Sequence, residues 1–362
     1  MKLPNAVGSS ETYSLLLLTA WVVLLGMTAP IAQTCESDGS VNFICGPVNP
    51  EDLISIPKSP WVVVSSMEEN GHLYLIDKRS YSSTILFPNE TTQQRHDTIT
   101  YGTCPGPLTN QFEPHGLSLR SETNYLSTLY VVRHGSRESV EVFEIDTRGD
   151  MPTITWIGCV VVPESVRANS VATLPEGGFA VTNFLRRGDS EARTNLMVGK
   201  NTGELWEWHP TIGWTIVPGS ETSGPNGLEV SEDGKWFYIG GWGKQSLIRL
   251  SRGQTPVDRD VLKVGFHIDN VHWTPDGSLF AAGHTGSAKA VLNDCLSERQ
   301  CSEITTLVAK IDPDVLKSHE IVRYPSNDFI VIGTAAIQVD EEIWIGAVGG
   351  GNRIARFPLP AW

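Results

Sequence analysis

The chain has 362 residues, with 27 Lys and Arg against 41 Asp and Glu, and so a net charge of −14. An apolar share of 40% and an aromatic share of 8% are those of a globular protein and exclude a disordered or fibrous chain. The acidity, with no basic run longer than the pair Arg186-Arg187, argues against a nucleic-acid partner.

From the N-terminus, Tyr13 to Ala32 carries no charge and follows the lone base Lys2. Residues 1–33 are therefore expected to be a signal peptide or signal-anchor. Cleavage would send the chain to the exterior or an endomembrane lumen, and retention would tether it to a membrane or lipid surface. An N-terminal arm, residues 34–50, comes next. Six cysteines follow the leader, Cys35, Cys45, Cys104, Cys159, Cys295 and Cys301, with no CxxC pair. Disulfides fit an oxidising compartment better than a zinc site, although six cysteines allow about fifteen pairings. Cys295 and Cys301 could close a small loop, and Cys35 or Cys45 could tie down the arm. Asn89-Glu90-Thr91 is an acceptor triplet for glycosylation at Asn89.

The body, residues 51–362, shows a repeated plan: a polar or Gly-containing start, an apolar strand, a tight acidic or Gly turn, and further β-branched and aromatic strands. Its clearest copy runs from Asn226 through Asp233-Gly234 to Gly240, and Asp-Gly between alternating apolar runs is a hairpin signal. Others begin at His115, Asn169, Asn270 and Thr334, and Leu53 to Asp77 makes a first unit. Copies of about 50 residues match propeller blades, so an all-β, six-bladed β-propeller is predicted.

In a propeller the innermost strand of every blade starts near the axis. Those positions here hold Glu51 and Asp52, His115, Asn169, Asn226, and Asp269 with Asn270. Carboxylates and amide carbonyls converging on one point form an oxygen-rich cage, the ligand set of a hard cation such as calcium. Singly, each Asn or Asp could be a turn former or a solvated charge. Their shared place relative to the hairpins argues for the cage.

The motifs Pro50-Glu51-Asp52-Leu53, Pro114-His115-Gly116-Leu117-Ser118, Tyr130 to His134, Ala168-Asn169, Pro225-Asn226-Gly227-Leu228, Asp269-Asn270 and Gly283-His284 stand in this order. From about Glu51 to Phe357 the chain resembles the serum paraoxonase/arylesterase family of calcium-dependent six-bladed propellers, and more distantly gluconolactonase-like and strictosidine synthase-like propellers. The resemblance implies a catalytic calcium held by Glu51, Asn169, Asn226, Asp269 and Asn270. It further implies a second, structural calcium near Asp52 and the Leu117 carbonyl, water activation by His115 and His134, and a site mouth lined by His284. The activity implied is hydrolysis of a lactone or aryl ester.

Three departures qualify it. Ser170 stands where the family usually has an acid supporting the structural ion, Phe184 brings an apolar group to the rim of the substrate pocket, and the C-terminus lacks the family's closing cysteine. Two other readings stay open. One is a non-hydrolytic cyclisation, condensation or cycloaddition of a small apolar metabolite in specialised metabolism, and the other is a non-catalytic binding propeller.

Overall fold

In the computed structural model, which describes Met1, residues 35–107 and residues 111–360, the strands form six antiparallel sheets arranged as blades. The expected leader lies outside the described residues. Blade one comprises Pro50–Ser55, Trp61–Ser66, Leu73–Asp77 and Ser83–Phe87. Blade two comprises Phe112–Ser121, Leu126–Gly135, Ser139–Asp146 and Thr153–Val161, with the short strand Gln93–Gln94 added in parallel at its outer edge. Blades three to five begin with Ala168–Thr173, Pro225–Val230 and His267–Trp273.

Blade six is assembled from both ends of the chain. Ile332–Val339, Glu342–Val348 and Arg353–Pro358 are joined by Asn42–Cys45, which pairs antiparallel with the last of them, Asn42 opposite Arg356 and Cys45 opposite Arg353. The segment that reads as an arm thus supplies the outermost strand of this blade. The six innermost strands contact one another in a closed ring, blade six against blade one. All belong to one unit spanning residues 33–362.

The core lies between neighbouring sheets. Alternation along each strand sends one row of side chains toward each adjoining blade. Leu53, Val62 and Val64 of blade one meet Ala335, Ile337 and Trp344 of blade six, and Val230, Phe237 and Ile239 of blade four meet Ala172 and Ala180 of blade three. Trp156 and Trp344 are fully buried, so these tryptophans serve blade packing. Turn chemistry follows the sequence: at Asp233-Gly234 the glycine takes a φ of +70°, a left-handed conformation that needs no Cβ.

The cysteines pair as Cys35–Cys45, Cys104–Cys159 and Cys295–Cys301. The first fastens the closing strand of blade six, where the resemblance alone would have looked for a C-terminal cysteine. Asn89 is exposed just beyond the outer strand of blade one.

Candidate functional site

Every innermost strand is irregular at the same point. Register slips between Pro50 and Leu53, Pro114 and Leu117, Ala168 and Val171, Pro225 and Leu228, Ile268 and Val271, and Gly333 and Ala335. The residues inside these bulges are Glu51-Asp52, His115-Gly116, Asn169-Ser170, Asn226-Gly227, Asp269-Asn270 and Thr334. A bulge inserts an unpaired residue and re-aims side chains that regular pleating would send into the interblade core. Two bulges require glycine for close approach. A Cβ on Gly116 would stand 2.6 Å from the Asn169 carbonyl oxygen, and one on Gly227 would stand 2.6 Å from that of Asp269.

The structure brings together five of the residues expected to hold the cation. Asn270 Nδ2 donates to Glu51 Oε1 at 2.7 Å, and Asn226 Nδ2 donates to Asp269 Oδ1 at 2.7 Å. Asn169 Nδ2 lies 3.2 Å from His115 Nε2, which is 3.6 Å from Glu51 Oε1. Thr334 donates its hydroxyl to the Glu51 carbonyl and fixes that backbone. Glu51 Oε2, Asn169 Oδ1, Asn226 Oδ1 and His115 Nδ1 are buried yet make no hydrogen bond. Each such group costs about 1–3 kcal/mol, so four in one place mark a site built for something other than stability.

Electrostatics agree. Burial, then the charges of Asp52 and Asp269, hold the Glu51 carboxyl well above the usual carboxylate range. Burial lifts Asp269 to about 7, against the hydrogen bond from Asn226 and with Asp52 adding. Burial, then His134 and Arg167, push His115 well below the ordinary imidazole value. The Glu51–His115 approach is therefore a contact of neutral groups, not an ion pair. Nor is the approach of Asp269 Oδ2 and His284 Nδ1 at 3.9 Å an ion pair, because burial and His267 lower His284 to about 3 and keep the imidazole uncharged.

Carboxylates that resist ionisation beside unpartnered oxygens are what a hard divalent cation would relieve. The residues fit that group: Glu51, Asn169, Asn226, Asp269 and Asn270 offer oxygen, as calcium requires. Among the described residues no three His, Cys, Asp or Glu side chains form a metal cluster by themselves, so the amide oxygens are indispensable to any such site.

Deeper along the axis, Asp52 is differently placed. Its Oδ1 accepts from Leu53 N–H at 2.8 Å and lies 2.6 Å from His272 Nε2, and its Oδ2 accepts from Leu117 N–H at 2.7 Å. Leu117 thus meets Asp52 through its amide hydrogen. His272 Nδ1 is 3.6 Å from Glu229 Oε1. Burial works against charge on His272, but Asp52 and then Glu229 outweigh it and raise the imidazole to about 10.

Other expected residues sit around the cluster. His134 is buried, its ring edge-on to His115 with centroids 5.2 Å apart, and its Nδ1 lies 2.7 Å from Glu138 Oε2. His284 Nε2 accepts from Trp242 Nε1–H at 3.1 Å, which leaves its Nδ1–H for the Gly333 carbonyl at 3.2 Å. Both nitrogens are committed, so His284 positions Trp242. Phe184 packs edge-on to Trp242, within an apolar wall that includes Leu196 and Val291. His272, Glu138 and Trp242 are absent from the motifs read in sequence. Only the alternation Val271-His272-Trp273, two residues past Asn270, could have drawn attention to the first.

Two cavities lie elsewhere. One of about 1370 Å³ opens where the innermost strands end, lined by Arg120, Glu176, Asp233 and Trp273 among others. Another, of about 450 Å³, lies beside blades one and two and is lined by His72, Phe87, Phe112 and Trp156 among others. Neither gathers unpartnered polar groups as the axis does.

Among solved structures the chain is similar to a gluconolactonase from Xanthomonas campestris, with a TM-score of 0.53 at 14% identity over 88% of this chain and 89% of that one. It is similar also to the calcium-binding protein regucalcin from Agrobacterium tumefaciens, with a TM-score of 0.52 at 13% identity over 87% and 91%. A luciferin-regenerating enzyme gives 0.52 at 10% identity over 87% and 94%. No protein-family model and no curated protein matches the sequence. At such identities the likeness shows the fold alone, a six-bladed propeller, which is compatible with the paraoxonase resemblance.

Proposed function

We propose that the chain is a divalent-cation-dependent lactone hydrolase, calcium being the ion its oxygen donors suit. The observation that carries this reading is the convergence of three unpartnered buried oxygens, on Glu51, Asn169 and Asn226, beside the Asp269 carboxyl. The neighbours named gluconolactonase and calcium-binding regucalcin support it. Bound there, the cation would polarise the carbonyl of a cyclic or aryl ester.

The chain's own residues would do the rest. The Asn169 amide points its Nδ2 at His115 Nε2, so that nitrogen is the ring's acceptor and faces the cluster. With its pKa held low, His115 stays unprotonated through the neutral range and would take a proton from water as it adds to the acyl carbon. The ring C–O bond breaks and the same proton passes to the departing oxygen. His134, held by Glu138, would orient His115. The three disulfides fit a secreted or lumenal chain.

The test is a panel of lactones and phenyl esters given to the purified protein. Turnover should require calcium and disappear in Asp269→Ala; activity that survives exhaustive chelation refutes the reading. A second reading draws on the apolar wall of Phe184, Leu196 and Trp242 beside the polar cluster: a non-hydrolytic cyclisation or condensation of an apolar metabolite. Its product would gain no water, which mass spectrometry distinguishes. Cation binding without any turnover would point to a binding propeller.

A further inference from the structure

We propose that the second, deeper cation position implied by the paraoxonase resemblance is closed in this chain by the His272 side chain, so that the propeller holds one divalent cation and not two. The proposal takes from the functional reading only that the axial cluster binds a cation.

Calcium bonds oxygen at about 2.3–2.6 Å and needs lone pairs directed at it. Around Asp52 the groups that meet the carboxylate oxygens are hydrogen-bond donors. Leu53 N–H and His272 Nε2 address one carboxylate oxygen at 2.8 and 2.6 Å, and Leu117 N–H addresses the other at 2.7 Å. Leu117 presents an amide hydrogen, not a lone pair, to Asp52. The imidazole nitrogen stands at a cation's own bonding distance from Asp52, so ring and ion exclude each other. Ser170 adds no carboxylate, and the Glu229 carboxylate faces the ring's other nitrogen, His272 Nδ1, at 3.6 Å, so the imidazole stands between it and Asp52.

The contrast with the axial cluster, only one residue away along the chain, is chemical. There Glu51 Oε2, Asn169 Oδ1 and Asn226 Oδ1 lack partners, whereas no side-chain atom of Asp52, Glu229 or His272 is buried without one among the described residues. His272 also does a structural ion's mechanical work. From blade five it touches Asp52 of blade one and faces Glu229 of blade four at 3.6 Å, while Asp52 in turn takes the Leu117 N–H of blade two. Four blades are thereby tied at the axis by a covalently attached group that chelators cannot remove.

The experiment counts calcium in the full-length protein, stripped on chelating resin, reloaded with excess calcium and desalted, by native mass spectrometry. Wild type should hold one equivalent; two overturn the proposal. His272→Asp sets three carboxylates together in place of two carboxylates and a donor, and should hold one equivalent more than wild type. A folded His272→Asp with no gain also overturns it. If that variant folds only when calcium is supplied, the dependence itself supports the proposal, read as a calcium-induced rise in melting temperature larger than that of wild type. A wild type holding none, with one gained in His272→Asp, would defeat the functional reading and the count of one, and would uphold only the closure of the second position by His272.

Discussion

Gly227 of blade four packs directly on the backbone of Asp269 and Asn270 in blade five, and replacing it with alanine tests whether that seam sets the cation site. The added Cβ would lie 2.6 Å from the Asp269 carbonyl oxygen and 2.7 Å from Asn270 Cα and Val271 N. A Cβ contact under 3.0 Å is not tolerated and ordinary contact begins at 3.4 Å, so the strands must part by about 0.4 to 0.8 Å. All three atoms are backbone, and no rotamer change can absorb the shift. Overpacking of this kind costs about 1–3 kcal/mol. With an unfolding entropy of about 2.1 cal/mol/K per residue over roughly 300 residues, the melting temperature should fall by about 2–5 °C. Asp269 and Asn270 ride on the displaced segment, and ligand distances tolerate only about 0.2 Å. Calcium affinity should therefore fall at least about tenfold. Calorimetric melting and isothermal titration at neutral pH read the two effects. A Gly227→Ala protein that melts with wild type and binds calcium within about twofold of it would refute the reasoning.

Three further outcomes are expected. In the cation-free protein Glu51 and Asp269 keep their protons above the usual carboxylate range, Asp269 to about 7, so the fold binds more protons than the unfolded chain and loses stability as pH rises toward 7. Calcium removes that penalty, so its increment in melting temperature should be larger at pH 8 than at pH 5, and equal increments would count against the assignment. Glu138→Gln weakens the hold on His134 Nδ1; kcat on a lactone substrate should fall by about tenfold or more with KM and calcium content unchanged, whereas an unaltered kcat removes Glu138 from the machinery. Chain-entropy arithmetic gives the Cys104–Cys159 bridge, closing 55 residues, about 4 kcal/mol and the Cys295–Cys301 bridge, closing 6, about 2 kcal/mol. Denaturant unfolding of the paired alanine variants should show that order, and the reverse order would contradict it.

The blades were legible because local chemistry announces hairpins: Asp233-Gly234 and Asp276-Gly277 each turn one strand back on the next. The clustering of Glu51, Asn169, Asn226 and Asp269 was legible from their shared position before those hairpins. The bulges that aim them were not, since an inserted residue breaks the two-residue alternation without any residue type of its own. Consecutive burial of Glu51 and Asp52 shows the consequence: one side chain meets the axial cluster and its neighbour meets His272. His272 was hidden because a histidine between Val271 and Trp273 looks like an ordinary strand residue, and its partners lie in distant blades. The closing strand Asn42–Cys45 was equally silent, because its partner is at the other end of the chain.

That closing strand also fixes a timetable. Asn42–Cys45 leaves the ribosome early, but Arg353–Pro358, the edge it must join, emerges some 300 residues later. At about 5–20 residues per second the wait lasts about 15–60 s. Through it an unpaired strand bearing Phe43 and Ile44 stays available to any open edge, including that of a second nascent copy. The Cys35–Cys45 bridge, confined to the first part of the chain, can form meanwhile and hold the strand in a short loop. Completion of blade six therefore comes last, and a chain ending before Arg353 would leave both Asn42–Cys45 and the edge of Glu342–Val348 without the strand that joins them.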